Sequence, residues 1–377
     1  MRQVERAIFD LRRGLPVVIT GRAGWMLARA VETGEDDAQG ELQKLAGSRP
    51  ALLLARPRLV ALGLGERLGK AEAGSLALPS ALPRRRLAEL AFGLGADEGE
   101  SDLVVPGALT PAGFAERAAL NMARRALLVP AVLSARVAHA RLEAVREAVA
   151  EGELLAVPEG PAAECLNGAR GRVRRVSEAR VPLAEAAGAR FVLFREPDGL
   201  REHVAVVIGS PGQMTEPVPV RLHSACLTGD LFGSLRCDCG EQLRNAVAEL
   251  DSLGGGVLLY LAQEGRGIGL ANKLRAYALQ DTGLDTMDAD HVLGFGEDER
   301  HYGVAVDMLS ALGVRQAMVL TNNPDKLRAL AAGGVEIAGR QALYGSLNDH
   351  NHRYLSAKAE RAGHWLDEVL DTRSSRD

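Results

Sequence analysis

Three cysteines are the residues of this sequence best suited to chemistry. Cys226, Cys237 and Cys239, three of the chain's four cysteines, form the pattern C-x10-C-x-C. Soft thiolate ligands select zinc over magnesium or calcium. Three thiolates leave a tetrahedral zinc ion one ligand short, and a water molecule at the open position has its pKa lowered from about 15.7 to about 7. The cluster therefore predicts a hydrolytic zinc centre.

Two other interpretations of the cluster stay open. It could be a structural zinc site with a histidine, His223 or a more distant one, as fourth ligand, or the thiols could be buried without a metal. Structural sites usually pair two ligand-bearing knuckles, whereas this single cluster lies in a segment that also contains Arg221, Thr228, Asp230 and Arg236. Side chains of these types favour a substrate site around a catalytic metal.

Two further stretches have the composition of anion sites. Residues 263–269 form a glycine-containing loop between a predicted strand and a predicted helix, where backbone amides can bind phosphate. In that loop Glu264 can accept from an amino-purine edge and Arg266 can hold phosphate. In residues 321–326, Asn323 can cap a helix and Lys326 places a cation beside its positive end. The alternatives are a plain strand-to-helix turn and a well-capped surface helix.

A carboxylate and an arginine, Asp298 and Arg300, stand close together in the charged run of residues 297–302. Such a run by itself is typical of a solvated surface. A hydrolytic metal, phosphate-binding loops and a carboxylate–arginine pair are together the parts needed to open a ring and cleave a phosphoanhydride. We therefore include both residues in the candidate site.

Hydrophobic patterns predict the elements that position these residues. Strands are predicted at residues 16–20, 51–55, 127–133, 190–194, 203–208, 257–261 and 317–320. Helices are predicted at residues 4–11, 114–126, 241–253 and 270–281, and from residue 324 onward. This order indicates an α/β (α+β) protein of two domains, each a mixed sheet packed with helices. A basic linker at residues 167–175 separates predicted domains at residues 1–168 and 171–372.

Length and composition fit a globular protein with two sizeable cores: 377 residues, 47% hydrophobic and 25% charged. The net charge of −4 provides no global field for nucleic acid or a membrane surface, so neither is expected as a partner. The charged N-terminus lacks the apolar region of a secretory signal, and no apolar stretch is long enough to span a bilayer. We therefore expect a cytoplasmic protein without a disulfide framework.

Residues 171–372 resemble GTP cyclohydrolase II, the enzyme that opens the riboflavin pathway. The resemblance rests on RLHSACLTGDLFGSLRCDCGEQL, QEGRGIGLANKLRAYALQDTG, DTMDADHVLGF, EDER and LTNNPDKL, which occur in the family's order. It implies hydrolysis of GTP to 2,5-diamino-6-(5-phosphoribosylamino)pyrimidin-4(3H)-one, formate and pyrophosphate. It also implies one Zn²⁺ per chain, Mg²⁺ bound with GTP, and a homodimer.

The resemblance assigns roles to individual residues. The three cysteines hold zinc, whose hydroxide attacks C8 of guanine, while Tyr277 orients the reacting water and Asp298 is the general base. The family mechanism makes Arg300 a nucleophile on the α-phosphorus; because a guanidinium with a pKa above about 12 is a poor nucleophile, we expect it to stabilise phosphate charge instead. The GTP site would comprise Arg221, Leu222, His223, Ser224, Ala225, Gln242, Glu264, Gly265, Arg266, Thr286, Thr321 and Lys326.

The sequence departs from the family at two positions. Ala225 stands where the family usually has Glu or Gln, and His301 stands where an acidic residue usually follows the arginine. Neither change removes a metal ligand or one of the three catalytic residues. We expect them to affect substrate affinity more than activity.

The first domain resembles 3,4-dihydroxy-2-butanone 4-phosphate synthase, which is often fused ahead of this cyclohydrolase. Residues 4–19 fit its opening helix and strand, and residues 101–107 fit a later segment. The acidic metal-binding cluster expected after Ile19 is replaced by Thr20-Gly-Arg-Ala, and the histidine expected after Gly107 is Ala108. The resemblance therefore implies a degenerate scaffold without synthase activity.

Two other functions are compatible with these patterns. One is a related enzyme that opens the ring without removing the formyl group, or that serves another pathway such as pyrimidine breakdown. The other is an inactive regulator that binds zinc and nucleotide. Tyr277, Asp298 and Arg300 argue against the regulator, and analysis of the reaction products separates the two enzymes.

Overall fold

The computed structural model describes residues 2–79, 82–93, 107–166, 173–210, 217–346, 348, 351 and 365. The chain divides into two units: Met1–Asn167 with Ala271–Glu299, and Gly168–Leu270 with Arg300–Asp377. The segment Ala271–Glu299 therefore groups with the first unit, although it lies within the second predicted sequence domain. The predicted domains, residues 1–168 and 171–372, stay a prediction about sequence organisation.

The first unit is built on a mixed seven-stranded sheet. Its strands are β1 (Val17–Gly21), β2 (Gly24–Ala30), β3 (Ala51–Ala55), β4 (Ala73–Ala77), β5 (Leu109–Pro111), β6 (Ala131–Arg136) and β7 (Leu155–Pro158). The strand order is β5-β4-β3-β6-β2-β1-β7, and the β1–β7 pair alone among these is parallel. Helices packed with this sheet are α1 (Arg2–Arg12), α2 (Ala38–Ala46), α3 (Arg56–Ala61), α4 (Arg84–Phe92), α5 (Phe114–Arg125), α6 (Leu142–Ala150) and α7 (Glu159–Ala163).

The second unit contains another mixed seven-stranded sheet. Its strands are β8 (Arg174–Arg180), β9 (Arg190–Arg195), β10 (Glu202–Ile208), β11 (Val218–Ser224), β12 (Gly256–Leu261), β13 (Gln316–Leu320) and β14 (Glu336–Gln341), in the order β14-β13-β11-β12-β10-β9-β8. Strands β11, β12, β13 and β14 are parallel, and β8, β9 and β10 add antiparallel neighbours. The other helices of this unit are α8 (Leu227–Asp230), α9 (Cys239–Ser252), α12 (Gly303–Ala311) and α13 (Pro324–Ala332). The helices α10 (Leu270–Asp281), from Ala271 onward, and α11 (Thr286–Val292) belong to the first unit.

Both faces of the second sheet are buried, because successive side chains of a strand point to opposite faces. On β10, Ala205 and Val207 pack in the core that includes α12 and α13. Val206 and Ile208, between and after them, pack in the core that includes α9. This two-sided burial explains the nearly continuous apolar runs of β10 and β12.

The expected fold class, an α/β protein with two mixed sheets, is confirmed. The helix at residues 270–281 and the strand at residues 51–55 lie where the sequence predicts them. The strand predicted at residues 127–133 is wrong in its first half. Leu127 has a φ of 60°, and amide hydrogen bonds from Leu127 to Arg124 and from Leu128 to Ala123 terminate α5 there.

Two predicted segments fall largely outside the described residues. Of the predicted linker, residues 167–172 are outside them, and residues 174–175 belong to β8, which is a correction. Of the segment 101–107, only Gly107 is described. Within the described ranges, no helix has the length and apolarity needed to span a membrane.

We expect Phe194→Ala to destabilise the second unit strongly. Phe194 is fully buried in its core, and truncation of a buried phenylalanine leaves a cavity that costs about 3–5 kcal/mol. The unfolding transition can be followed by calorimetry. Leu253→Ala is a control within the same unit, because that side chain is 45% exposed and its loss should cost less than about 1 kcal/mol. Equal effects of the two substitutions would contradict the assigned core.

Candidate functional site

The candidate site forms where three parallel strands end. β11 and β12 pair in parallel with His223 beside Tyr260, and β11 and β13 pair in parallel with Val220 beside Val319. Parallel strands place their carboxyl ends at one edge of a sheet, where ligands bind in many α/β proteins. Here that edge leads into the cysteine segment, the loop of residues 263–269 and the segment of residues 321–326.

The three cysteine sulfurs converge. The Sγ atoms of Cys226, Cys237 and Cys239 all lie within 4.8 Å of one another, and those of Cys226 and Cys237 are 3.6 Å apart. Tetrahedral zinc with Zn–S bonds of about 2.3 Å requires sulfurs roughly 3.8 Å apart. This donor set therefore fits zinc. In the part of the chain that the structure describes, it is the one group of three or more such ligands, and it includes no histidine.

Gly229 lies against all three cysteines. A Cβ atom at this position would lie 2.7 Å from the Cys237 sulfur, 3.0 Å from Cβ of Cys239 and 3.1 Å from the Cys226 sulfur. The first separation is shorter than real Cβ contacts and the other two are tighter than most of them, so glycine lets the backbone of α8 approach the cluster this closely.

The Cys237 thiol is protonated at neutral pH in the absence of a metal. A hydrogen bond with Cys226 raises the pKa of Cys237 to about 11. Since a metal binds the thiolate form, binding would displace this proton.

His223 is engaged elsewhere. Its Nε2 lies 3.1 Å from Oδ1 of Asp230, and burial lowers the pKa of the ring, although the Asp230 hydrogen bond opposes that shift. The imidazole is therefore neutral at pH 7. The alternative of a structural site with His223 as fourth zinc ligand receives no support from this arrangement.

Two buried cations lie along the ends of β11 and β13. Arg221 donates from Nη1 to the Leu320 carbonyl at 2.9 Å and from Nη2 to Oε1 of Gln242 at 2.7 Å. Burial lowers the pKa of Arg221 to about 10, so it remains a cation at neutral pH. Its buried Nε has no hydrogen-bond partner among the described residues. Lys326 donates from Nζ to the Leu222 carbonyl at 2.7 Å.

The predicted cap of α13 is confirmed. Asn323 accepts from the amide of Asp325 at 2.7 Å, and Pro324 is the first helical residue. Thr321, buried at the end of β13, accepts from the amide of Asn323 at 3.0 Å. This places Thr321 and Lys326 at the start of one helix.

The loop after β12 has an unusual backbone. Gly265 and Arg266 both adopt left-handed angles, with φ of 60° and 58°. Such a conformation in an arginine is uncommon and is typical of functional sites. Glu264 accepts from the amide of Leu227 at 2.6 Å through Oε2 and from the amide of Gly265 at 3.1 Å through Oε1. This carboxylate therefore ties the loop to the cysteine segment.

Three further predicted site residues, Ser224, Ala225 and Arg300, also belong to the second unit. Ser224 ends β11, and its buried Oγ has no hydrogen-bond partner within the described ranges. Ala225 donates its amide to the Leu261 carbonyl at 2.8 Å. Arg300 lies 5.6 Å from the ring centroid of Tyr302.

Three predicted site residues belong to the first unit. Tyr277 lies on α10, with Nζ of Lys273 at 5.7 Å from its ring centroid. Thr286 is the first residue of α11, whose N-terminus is capped by Asp285. Asp298 is an exposed residue between α11 and α12. The structure thus groups the other site residues in the second unit and assigns these three to the first.

Four further residues contact the site or its supporting loops, although the sequence did not predict them as site residues. Gly229 and Tyr260 lie beside the cysteines and His223, respectively. Gln263 donates to the His301 carbonyl at 2.7 Å, and His203 accepts from the amide of Ala262 at 3.0 Å. Gly229 lies in the cysteine segment and Gln263 in the loop of residues 263–269, both of which were predicted to form the site. His203 lies in an apolar strand whose sequence gives no sign of a functional role.

Known proteins identify the family. The model for GTP cyclohydrolase II matches residues 174–342. GTP cyclohydrolase-2 of Azospirillum brasilense is 45% identical over 97% of this chain and 94% of its own length. GTP cyclohydrolase-2 of Pasteurella multocida is 46% identical over 52% of this chain and 89% of its own length.

One solved structure is a distant match. It is RibBX of A. baumannii, a two-domain 3,4-dihydroxy-2-butanone 4-phosphate synthase, with 19% identity, a TM-score of 0.34 and coverage of 90% of this chain and 99% of its own. That TM-score does not define the fold of either unit. The family follows instead from the Azospirillum relative, which matches along nearly its whole length: the chain belongs to the GTP cyclohydrolase II family.

Proposed function

We propose that this protein is a GTP cyclohydrolase II that hydrolyses GTP to 2,5-diamino-6-(5-phosphoribosylamino)pyrimidin-4(3H)-one, formate and pyrophosphate, the first step of riboflavin biosynthesis. The observation that carries the proposal is the three-cysteine cluster at the carboxyl edge of β11, β12 and β13, in a chain that matches a GTP cyclohydrolase-2 over 94% of that relative's length. A cluster of this composition beside buried cations suits hydrolysis of an anionic nucleotide.

The proposed metal is one Zn²⁺ per chain, held by Cys226, Cys237 and Cys239. The 3.6 Å separation of two of the sulfurs, and the glycine backbone packed against all three, support this choice. When bound, zinc supplies a Lewis acid that makes a water molecule acidic enough to act as a nucleophile at neutral pH. Magnesium would accompany GTP by neutralising its phosphates.

The remaining proposed contacts divide by charge. Arg221 and Lys326 are cations near the ends of two neighbouring strands, and α13 presents its N-terminus beside them, which suits a polyphosphate. Arg266 adds a third cation on the left-handed loop. Glu264 is the proposed acceptor for the guanine edge, although its carboxylate already accepts two backbone amides. The other proposed contacts are Leu222, His223, Ser224, Ala225, Gln242, Gly265, Thr286 and Thr321.

The proposed catalytic residues are Tyr277, Asp298 and Arg300. Tyr277 would orient the attacking water through its hydroxyl, and Asp298 would take up the proton that this water loses. Arg300 would stabilise the charge that develops on the α-phosphate as pyrophosphate leaves. We also propose a homodimer.

The direct test is incubation of the purified protein with GTP, Zn²⁺ and Mg²⁺. We expect formate and pyrophosphate in equal amounts, together with the diaminopyrimidine product. Pyrophosphate without formate would indicate ring opening without deformylation. The absence of both formate and pyrophosphate would contradict the proposed function.

We expect Cys237→Ser to lose most of its zinc and turnover, because a tetrahedral site with one fewer thiolate binds zinc much more weakly. Metal content is measured by atomic emission and turnover by formate release. Cys165→Ala is the matched control, since Cys165 belongs to the first unit and is not one of the three clustered cysteines, and this variant should retain one zinc per chain. Full zinc content in Cys237→Ser would exclude the assigned ligand.

We expect Arg300→Lys to keep measurable pyrophosphate release at a rate lowered by about 10²–10³, because lysine retains the charge but loses the bidentate fork. Rapid quench with α-labelled GTP measures this rate. A nucleophilic arginine predicts the opposite: label trapped on a peptide that contains Arg300, and no cleavage by the lysine variant.

We expect no 3,4-dihydroxy-2-butanone 4-phosphate from ribulose 5-phosphate. Where the synthase resemblance places an acidic metal-binding cluster, β1 turns directly into β2, with Gly21 paired to Gly24 and only Arg22 and Ala23 between them. The hairpin residues themselves carry no carboxylate, and the neighbouring Glu159 carboxylate accepts the Arg22 amide at 3.1 Å, whereas the resemblance requires an acidic cluster on this segment to bind magnesium. The assay uses the Cys237→Ser variant alongside the unmodified protein, and synthase activity in both would show that the first unit is a working enzyme.

A further inference from the structure

A buried carboxylate, Asp230, joins the cysteine cluster to the proposed nucleotide site. Its side chain is 6% exposed. Oδ2 accepts from the Tyr260 hydroxyl and from the Cys226 amide, each at 2.9 Å. Oδ1 and Oδ2 lie 3.1 Å and 3.2 Å from Nε2 of His223. Two groups from the end of β11 and the turn after it, and one from β12, therefore meet at one carboxylate.

The contact with Cys226 fixes the backbone of a metal ligand. The amide of Asp230 also donates to the Cys226 carbonyl at 2.7 Å, so residues 226–230 form a closed turn. Without the carboxylate, the Cys226 amide would lose its acceptor in a buried place, which costs about 1–3 kcal/mol. Groups that orient a metal ligand in this way typically change metal affinity by about 10–100-fold.

The contact with His223 fixes the orientation and the proton of its ring. A carboxylate is an acceptor, and Oδ2 of Asp230 already accepts from Tyr260 and Cys226, so Nε2 of His223 carries the proton that it donates to Asp230. The ring also stacks on Tyr260, with centroids 5.6 Å apart and planes 13° apart. Nδ1 of the neutral ring is then an acceptor.

These contacts argue against the interpretation of Asp230 as a substrate contact. Both of its oxygens are engaged, and its burial leaves little surface for a ligand. Its position between a cysteine of the cluster and a histidine of the proposed GTP site instead suits a structural link.

We propose that Asp230 is a positioning residue that sets two parts of the active site at once: the backbone of the zinc ligand Cys226, and the tautomer of His223 that presents an acceptor to GTP. This inference rests on the proposed function for the identity of the metal and substrate. It assigns to Asp230 no contact with either of them.

Asp230→Asn separates the two effects. The asparagine amide has one oxygen, which can replace Oδ2 and keep accepting the hydrogen bonds from Tyr260 and Cys226. Its NH₂ group then faces Nε2 of His223. Because two donors cannot pair, we expect His223 to move its proton to Nδ1. Zinc affinity should stay within about threefold, whereas KM for GTP should rise roughly tenfold through loss of one hydrogen bond. Asp230→Ala should in addition bind zinc about 10–100-fold more weakly.

The readouts do not all depend on turnover. Zinc affinity is measured by competition with a chromophoric chelator, and the His223 tautomer by nitrogen NMR of histidine-labelled protein, with His223→Gln identifying its signals among eight histidines. Asp251→Asn, an exposed position on α9, is the control and should match the unmodified protein in every measurement.

The inference would be overturned if Asp230→Asn kept the His223 tautomer of the unmodified protein, or if Asp230→Ala bound zinc as tightly as the unmodified protein. If Asp230→Ala does not fold, the tautomer in the isosteric Asp230→Asn decides it. Failure of the unmodified protein to release formate from GTP would contradict the proposed function instead, and it would leave the zinc and tautomer measurements able to support the positioning role.

Discussion

The pairing of β11, β12 and β13 in parallel is the constraint on which the rest of the site depends. Parallel pairing brings the carboxyl ends of these strands to one edge, so segments that start at residues 225, 262 and 321 begin beside one another. Parallel pairing requires crossover connections, and the helices of these connections pack on both faces of the sheet and bury its apolar side chains. Residues about a hundred positions apart can then bond directly: the Arg221 side chain donates to the Leu320 carbonyl, and the Lys326 side chain donates to the Leu222 carbonyl.

Charge compensation shapes this edge of the sheet. Arg221 and Lys326 are both buried, and burial of a cation is unfavourable unless hydrogen bonds or opposite charges offset it. Here backbone carbonyls supply part of the compensation, and Asp238 and Cys239 oppose the lowering of the Arg221 pKa. A polyphosphate ligand would bring further negative charge to these two cations, which agrees with the proposed substrate.

The cysteine segment combines a chemical requirement with a steric one. Its thiols must lie close enough to share one metal ion, and Gly229 allows the backbone to pack against them. Asp230, the next residue, then reaches back to Cys226 and across to His223. Two adjacent residues of α8 therefore set the spacing of the sulfurs and their relation to the neighbouring strand.

The sequence by itself determined the chemistry and most of the elements. The C-x10-C-x-C spacing indicated a metal cluster, and apolar periodicity placed α10 and β3, because both signals depend on residues near one another in the chain. The strand predicted from residue 127 was wrong in its first half, since the left-handed turn at Leu127 depends on helix-terminating hydrogen bonds rather than on hydropathy. Only the tertiary structure decided that Ala271–Glu299 groups with the first unit, and that Asp230 bonds to Tyr260 and His203 to Ala262. The two hydrogen bonds join residues that are distant in the chain, and the pairing of β12 with β10 and β11 brings those residues together.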